Sequence, residues 1–548
     1  MKISRRDLFR STVAVGGAAA LGGLGSLSAD AVAGTGAVAR VAARAGGGTT
    51  TRTVVLGKGT PVEGGWRPVI EKPGESYLVR GGLGAGAKKG RAGRRRPVLA
   101  FVQLSDVHVV DAQSPMRLEF ADEYSSSAYR PQEVLSGHVA DAMVRAINDI
   151  GYGPVTGRKL GFAIQTGDNA DSRQHNEIRW NIDLLDGGTI TIDSGDYSKY
   201  EGVMDQESAS YKTMYWHPEG TPPGLEDDVP RADFGFPVIE GLLDAVRQPF
   251  EAEGLAMPWY TAMGNHDGLI QGNFVASPTL TATATGTVKK IDALNTRTVT
   301  ADADRRIVDR TEWVQEHFTT TGTPVGHGFT QDNLDTDTAY YTFDRGIVRF
   351  VVMDTVNANG GDEGSLSQTQ FAWIKKTIAA SSRKLLIFCS HHPSWSMVND
   401  RVSDIEPGAR ILGPTLVKEL LKHDNVIAWV NGHTHSNNVL GHVRTDKKTK
   451  KAVGGFWEIN TASHIDWPQQ SRLIEITDNK DDTLSIFTTM VDHSGSLEFS
   501  GDLGDPQQLA GLSRLLTAND WQERDDHREG RRADRNVELI FRTPAFLR

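Results

Sequence analysis

Val98-Leu99-Ala100-Phe101-Val102-Gln103-Leu104 runs straight into Ser105-Asp106-Val107-His108, an apolar run that ends abruptly in a polar cluster. The run is too short for a helix and rich in aliphatic and aromatic residues, which predicts a strand covered on both faces. The same grammar recurs along the chain. Leu160 to Gln165 ends at Thr166-Gly167-Asp168-Asn169, and Pro258 to Met263 ends at Gly264-Asn265-His266-Asp267. Ile347 to Met353 ends at Asp354, Leu385 to Ser390 at His391-His392-Pro393, and Val426 to Val430 at Asn431-Gly432-His433-Thr434-His435.

Helical patterns lie between several of these runs, at His138 to Ile150, Val238 to Phe250, Gln368 to Ala380 and Leu416 to His423. Strands alternating with helices predict an α/β protein, in which ligands collect where loops leave the carboxyl ends of strands. The polar clusters fall at those ends. Later runs at Gly455 to Ile459, Leu473 to Thr477 and Leu484 to Met490 predict a second group of strands. The expected architecture is two sheets packed face to face with helices outside. Residues 172–256 and 271–337 break the grammar. They are polar, turn-rich and long for connections in a compact domain, and read as functional lids or inserted subdomains.

The formal charge of −10 argues against a nucleic-acid scaffold, because anionic partners are repelled. With a single cysteine, Cys389, no intramolecular disulfide can form, and its place in Leu385-Leu386-Ile387-Phe388-Cys389 marks it as a core residue. Near the start, Ser4-Arg5-Arg6-Asp7-Leu8-Phe9-Arg10 precedes a weakly apolar Ala/Gly/Leu stretch. This resembles a twin-arginine export signal, with cleavage expected after Ala33 or Ala39. The expectation is a passenger of the twin-arginine machinery that acts outside the cytoplasm, without a stable membrane span after processing. The chain then divides into a signal at 1–33, a Gly/Ala-rich irregular segment at 34–96, a catalytic domain at 97–495 carrying both inserts, and an extension at 496–548.

Each polar cluster is weak alone, since Asp-x-His, Gly-Asp and His-x-His pairs also serve structural hydrogen bonds. Their order is specific. Asp-x-His, Gly-Asp, Gly-Asn-His-Asp, His-His-Pro and Gly-His-x-His follow one another in that order, each just after a strand-like run. The series resembles the calcineurin-like metallophosphoesterase family, which includes purple acid phosphatases and cyclic-nucleotide phosphodiesterases. The twin-arginine leader and long inserts also resemble an exported actinobacterial branch of it. The resemblance implies a four-layer αββα sandwich and a pair of transition metal ions (manganese, iron or zinc). It places the first ion on Asp106, His108 and His435, the second on Asn265, His391 and His433, and a bridge at Asp168. Imidazoles suit such borderline metals, and a two-oxygen carboxylate suits a bridge.

The resemblance further implies hydrolysis of a phosphate mono- or diester by a metal-bridging hydroxide. His266 would assist the leaving group or a phosphoryl oxygen, and Asp267 would orient it. In His391-His392-Pro393 either imidazole could ligate; the family pattern selects His391. A tyrosine stands three residues after the bridging aspartate in purple acid phosphatases, whereas Asp171 stands there here, so no purple chromophore is expected. His464 and Arg472 are further candidates for substrate contact, and His175, His217 and Trp395 weaker ones. The alternative reading is a non-catalytic, metal-containing surface protein on the same fold. No Gly-x-Ser-x-Gly elbow and no P-loop are present.

Overall fold

The computed structural model describes residues 49–548; the twin-arginine segment and both expected cleavage sites lie outside the described residues. The larger sheet begins with β1 (Leu78–Leu83), β2 (Arg96–Leu104), β3 (Ala163–Gln165) and β4 (Trp259–Thr261). It crosses to a second sheet with β5 (Tyr341–Arg345), β6 (Val348–Val352), β7 (Leu385–Cys389), β8 (Val426–Asn431), β9 (Asn438–Thr445) and β10 (Ala452–Asn460). It returns to the first with β11 (Gln470–Asp478), β12 (Thr483–Asp492) and β13 (Val537–Arg542). The orders are β1-β13-β12-β11-β2-β3-β4 and β5-β6-β7-β8-β10-β9. Within them β2, β3 and β4 are parallel, as are β6, β7, β8 and β10.

The sheets face each other through an aromatic seam. Phe101 and Phe162 of the seven-stranded side meet Phe350 of the other sheet with ring centroids 5.3 and 5.0 Å apart, and Tyr260 stacks on Phe343 at 3.7 Å. Each such ring buries enough apolar surface to contribute roughly 2–3 kcal/mol. Helix α1 (Ser136–Ile150) turns Met143, Val144 and Ile147 into the same core and stops at Gly151, which takes φ +60°. On the opposite side, α3 (Gln368–Ala380) and α4 (Gly413–Leu420) set Ile374, Ile378, Leu416 and Leu420 against Leu386, Phe388 and Trp429. The result is a mixed α/β sandwich, with α2 (His175–Asp186) and α5 (Pro506–Asn519) beside α1.

Three sequence expectations shift. Val238 to Phe250 is not a long helix: Gly241 at φ +79° and Pro249 leave a single turn at Leu242–Ala245. The later strands do not form a group of their own, because β10 joins the second sheet while β11 pairs with β2, Ile474 opposite Phe101. The domain is also wider than 97–495, since β1 and β13 lie outside those limits and are neighbours in the seven-stranded sheet. The inserts fold together. Tyr215, Trp216 and Leu242 of the first pack with Ile291 of the second and with Leu509, Leu512 and Leu516 of α5 in a second hydrophobic core.

Candidate metal centre

The carboxyl ends of β2, β3, β4, β7 and β8 converge, and the loops that leave them clamp one another. Asp106 N–H donates to Gly167 O (3.1 Å), His108 N–H to Asp168 O (3.0 Å), and Gly432 N–H to His391 O (2.9 Å). The Asp106 carboxylate accepts the His433 N–H at 3.0 Å, and Asp168 accepts that of His266 at 2.8 Å. These bonds hold Asp106, His108, Asp168, His433 and His435 at φ values of 48–72°. Such left-handed backbone costs about 1–2 kcal/mol per residue and persists only where the surroundings enforce it. The glycines of the motifs follow from the same crowding. A Cβ on Gly264 would collide with Asp168, and one on Gly432 with Ser105 and Asp106.

The side chains gather in overlapping sets whose donor atoms lie within 4.8 Å of one another: Asp106, His108 and His435; Asp106, Asp168 and His391; and His108, Asp168 and His266. Asp168 Oδ2 sits 3.1 Å from His391 Nε2 and 3.6 Å from His108 Nε2, so one carboxylate serves both halves. His108 Nε2 and His435 Nε2 are 3.2 Å apart, as are His391 Nε2 and His433 Nδ1. Asn265 donates its amide to Gly272 O at 3.1 Å, while its buried Oδ1 has no hydrogen-bond partner.

The far ring nitrogens set the tautomers. His391 Nδ1 lies 2.9 Å from Thr166 O, His108 Nδ1 3.1 Å from Asp171 Oδ1, and His435 Nδ1 2.5 Å from Asp466 Oδ2. Each Nδ1–H donates outward, leaving the Nε2 lone pair turned inward, as metal ligation requires. Burial would raise the Asp168 carboxyl, yet the charges of His391 and His266 hold it well below the usual range. Burial likewise opposes charge on His391, but Asp168 raises it to about 9, so a metal ion bound there would displace its Nε2 proton. Ionised oxygens, inward lone pairs and an unpartnered amide oxygen are the donor set that two transition metal ions need, so the residues fit that group.

The model of the calcineurin-like phosphoesterase family matches residues 232–437, which include Asn265, His391, His433 and His435. Residues 232–437 of this chain are thus similar to the calcineurin-like phosphoesterase family. Tartrate-resistant acid phosphatase type 5 from Sus scrofa is 31% identical over 110 residues, 17% of this chain and 29% of that relative's length. Among solved structures, purple acid phosphatase PPD1 from yellow lupin (Lupinus luteus) superposes with TM-score 0.28 and 11% identity, covering 71% of this chain and 51% of the other. PhoD gives 0.30 and 11%, covering 84% and 81%. Asp106, His108 and Asp168 lie before the residues matched by the family model; the fold carries them to the calcineurin-like residues.

His392 differs from its neighbour. Its Nδ1 meets Thr355 Oγ1 and its Nε2 meets Asp362 O, both at 2.8 Å, so both nitrogens are occupied and burial lowers it to about 3. The role expected for Asp267 changes. Its carboxylate accepts the N–H groups of Gly264 (2.8 Å), Asn169 and Ala170 (both 3.1 Å), and burial beside Asp168 pushes it up to about 7. It knits the β3 and β4 loops together. The His266 ring is oriented instead by Asp171, whose carbonyl oxygen lies 2.6 Å from Nδ1 and whose carboxylate lies 3.7 Å away.

His464 and Arg472, expected to touch substrate, are both fully buried, and the His464 N–H donates to Asp106 O at 3.0 Å. His464 Nε2 bonds Ser471 Oγ at 2.9 Å, and burial lowers the ring to about 4. Arg472 donates to Thr461, Asn437 and the carbonyls of Asn460, Asp534 and Arg535, joining the sheet to the C-terminal segment. His217 is bonded to the carbonyls of Asp205 and Lys212, His175 pairs with Glu316 at 3.5 Å, and Trp395 is a half-exposed surface ring. Sequence reading missed Asp171 as a supporting carboxylate and missed Asp466 and Arg528 entirely. Asp171 carried a signal, three residues past Asp168; the other two belong to no motif.

Proposed function

We propose that this protein is an exported phosphoesterase that uses two transition metal ions to hydrolyse a phosphate mono- or diester. The observation that carries the reading is the convergence of Asp106, His108, Asp168, His391, His433 and His435 from separate strand ends, with the orphaned Asn265 Oδ1 beside them. Asp106, His108 and His435 would hold one ion, Asn265, His391 and His433 the other, and Asp168 would share its carboxylate between them. Such a pair supplies Lewis acidity toward a phosphoryl oxygen and a water-derived nucleophile at neutral pH.

The protein's own groups supply the rest. His266 donates Nδ1–H to the Asp171 carbonyl, and the nearby Asp171 carboxylate stabilises positive charge on the ring. Nε2 would pass a proton to the departing ester oxygen as the P–O bond breaks, or to a phosphoryl oxygen. Gly272, at φ +66°, lets its loop pass close over the ring, where a side chain would strike it. Export rests on the paired Arg5-Arg6 leader, and it agrees with a fold whose one cysteine is buried and unpaired. Among the described residues no helix is long and apolar enough to cross a membrane.

The test is metal content measured together with hydrolysis of matched chromogenic mono- and diesters, on protein purified without chelator. Two ions per chain with chelator-sensitive turnover is the expected result, and the preferred ester sorts the substrate class. Protein that takes up no metal after reloading would sink the reading.

A further inference from the structure

The carboxylate behind His435 is gripped by two arginines, whereas Asp171 behind His108 is paired with one, Arg117. Asp466 is buried in the loop between β10 and β11, its N–H donating to Ser463 Oγ at 3.1 Å. Oδ1 accepts Arg130 Nε at 2.7 Å; Oδ2 accepts His435 Nδ1 at 2.5 Å and also Arg528 Nη1. Arg130 comes from the loop before α1, and Arg528 from the C-terminal segment after α5. Two guanidiniums from distant parts of the chain thus grip one carboxylate, whose remaining lone pair is spent on a metal-ligand imidazole.

The C-terminal segment is itself anchored where the His435 loop ends. Asn437 N–H donates to Arg528 O at 2.8 Å, and Gly530, at φ +70°, approaches Asn437 so closely that a Cβ there would overlap its carbonyl oxygen. Glu523 holds the other arm of Arg528 at 2.8 Å. Guanidinium forks are rigid, so this arrangement fixes the place and orientation of the Asp466 carboxylate.

Resting on the two-metal reading above, we propose that Asp466, clamped by Arg130 and Arg528, is the positioning residue that sets metal affinity at the Asp106–His108–His435 site. The C-terminal segment is then a working part of the metal centre. A carboxylate behind a ligating imidazole fixes its tautomer and strengthens it as a donor, and losing such a partner typically lowers affinity about 10–100-fold. Asp466 touches neither substrate nor metal; it acts through His435.

The experiment is zinc titration of apo protein by chelator competition, with thermal melting of the apo forms alongside. Asp466→Asn keeps the shape but removes the charge. The expected result is one wild-type site and one weakened about 10–100-fold, with apo melting unchanged. Arg528→Met, which leaves Asp466 in place, should weaken the same site less, and Arg528→Lys should restore part of the loss. If Asp466→Asn melts early, the Arg528 pair decides: weakening by Met and partial recovery by Lys support the role, and equal affinities in all three overturn it. Two wild-type sites in a well-folded Asp466→Asn also overturn it. Failure of the wild-type protein to bind zinc would instead strike the two-metal reading.

Discussion

The two halves of the centre share a bridge but are supported by different chemistry. In the Asp106–His108–His435 half, both imidazoles lean on buried carboxylates, Asp171 and Asp466, each paired with arginine. In the Asn265–His391–His433 half, His391 leans on the neutral carbonyl of Thr166, the oxygen ligand is an uncharged amide, and His433 is partly open to solvent. More negative charge behind one set of ligands, away from water, makes that half the stronger cation trap. On the proposed function, an anionic ester would meet less repulsion at the wetter half.

Removing the bridge should erase the distinction. Asp168→Ala takes the shared oxygen from both halves, and turnover should fall by more than about 10³-fold, with metal content below two per chain. A variant that keeps both ions and full rate would break the dinuclear picture. His266→Ala should leave both halves filled yet lose roughly 10²–10⁴-fold in kcat, the usual contribution of a proton donor. Metal loss in that variant, read by elemental analysis, would move His266 from proton donor to ligand.

Asp171→Asn sharpens the comparison, because it weakens the support of one half only. Affinity at that half should drop about 10–100-fold, while the other site titrates as in the parent. Graded chelation of the wild-type protein should remove ions in two steps, the Asn265–His391–His433 ion first; loss of both in a single step would contradict the asymmetry. The smallest effect on catalysis belongs to Arg472→Met. Stranding several buried acceptors should cost about 3 kcal/mol of stability, seen as an earlier melt, with turnover per folded molecule unchanged.

How far the sequence carried these halves depends on the kind of residue. The polar clusters on strand ends were legible because a short apolar run followed by Asp-x-His or Gly-His-x-His announces both the strand and the place where its loop begins. His391 and His392 could not be separated by local pattern alone, since both follow β7 immediately. Thr355 and Asp362, brought in from another loop, occupy His392 and leave His391 to the centre. Asp267 looked like the partner of its neighbour, but its helical turn aims the carboxylate back at the amides of Gly264 and Asn169. His464 and Arg472 stood near the last motif in sequence and were read as reaching substrate; burial between sheet and C-terminal segment gives them other partners.

The strand-like runs and the polar motifs at their ends were therefore written in the sequence, because each depends on neighbours a few residues away. Only tertiary structure decided what stands behind the ligands. Asp466 meets His435 across 31 residues, and Arg528 meets Asp466 across 62. β1 and β13 become sheet neighbours from opposite ends of the described chain. Such partners are selected by where charge must be compensated inside a dry interior, a condition that exists only once the sheets have closed around it.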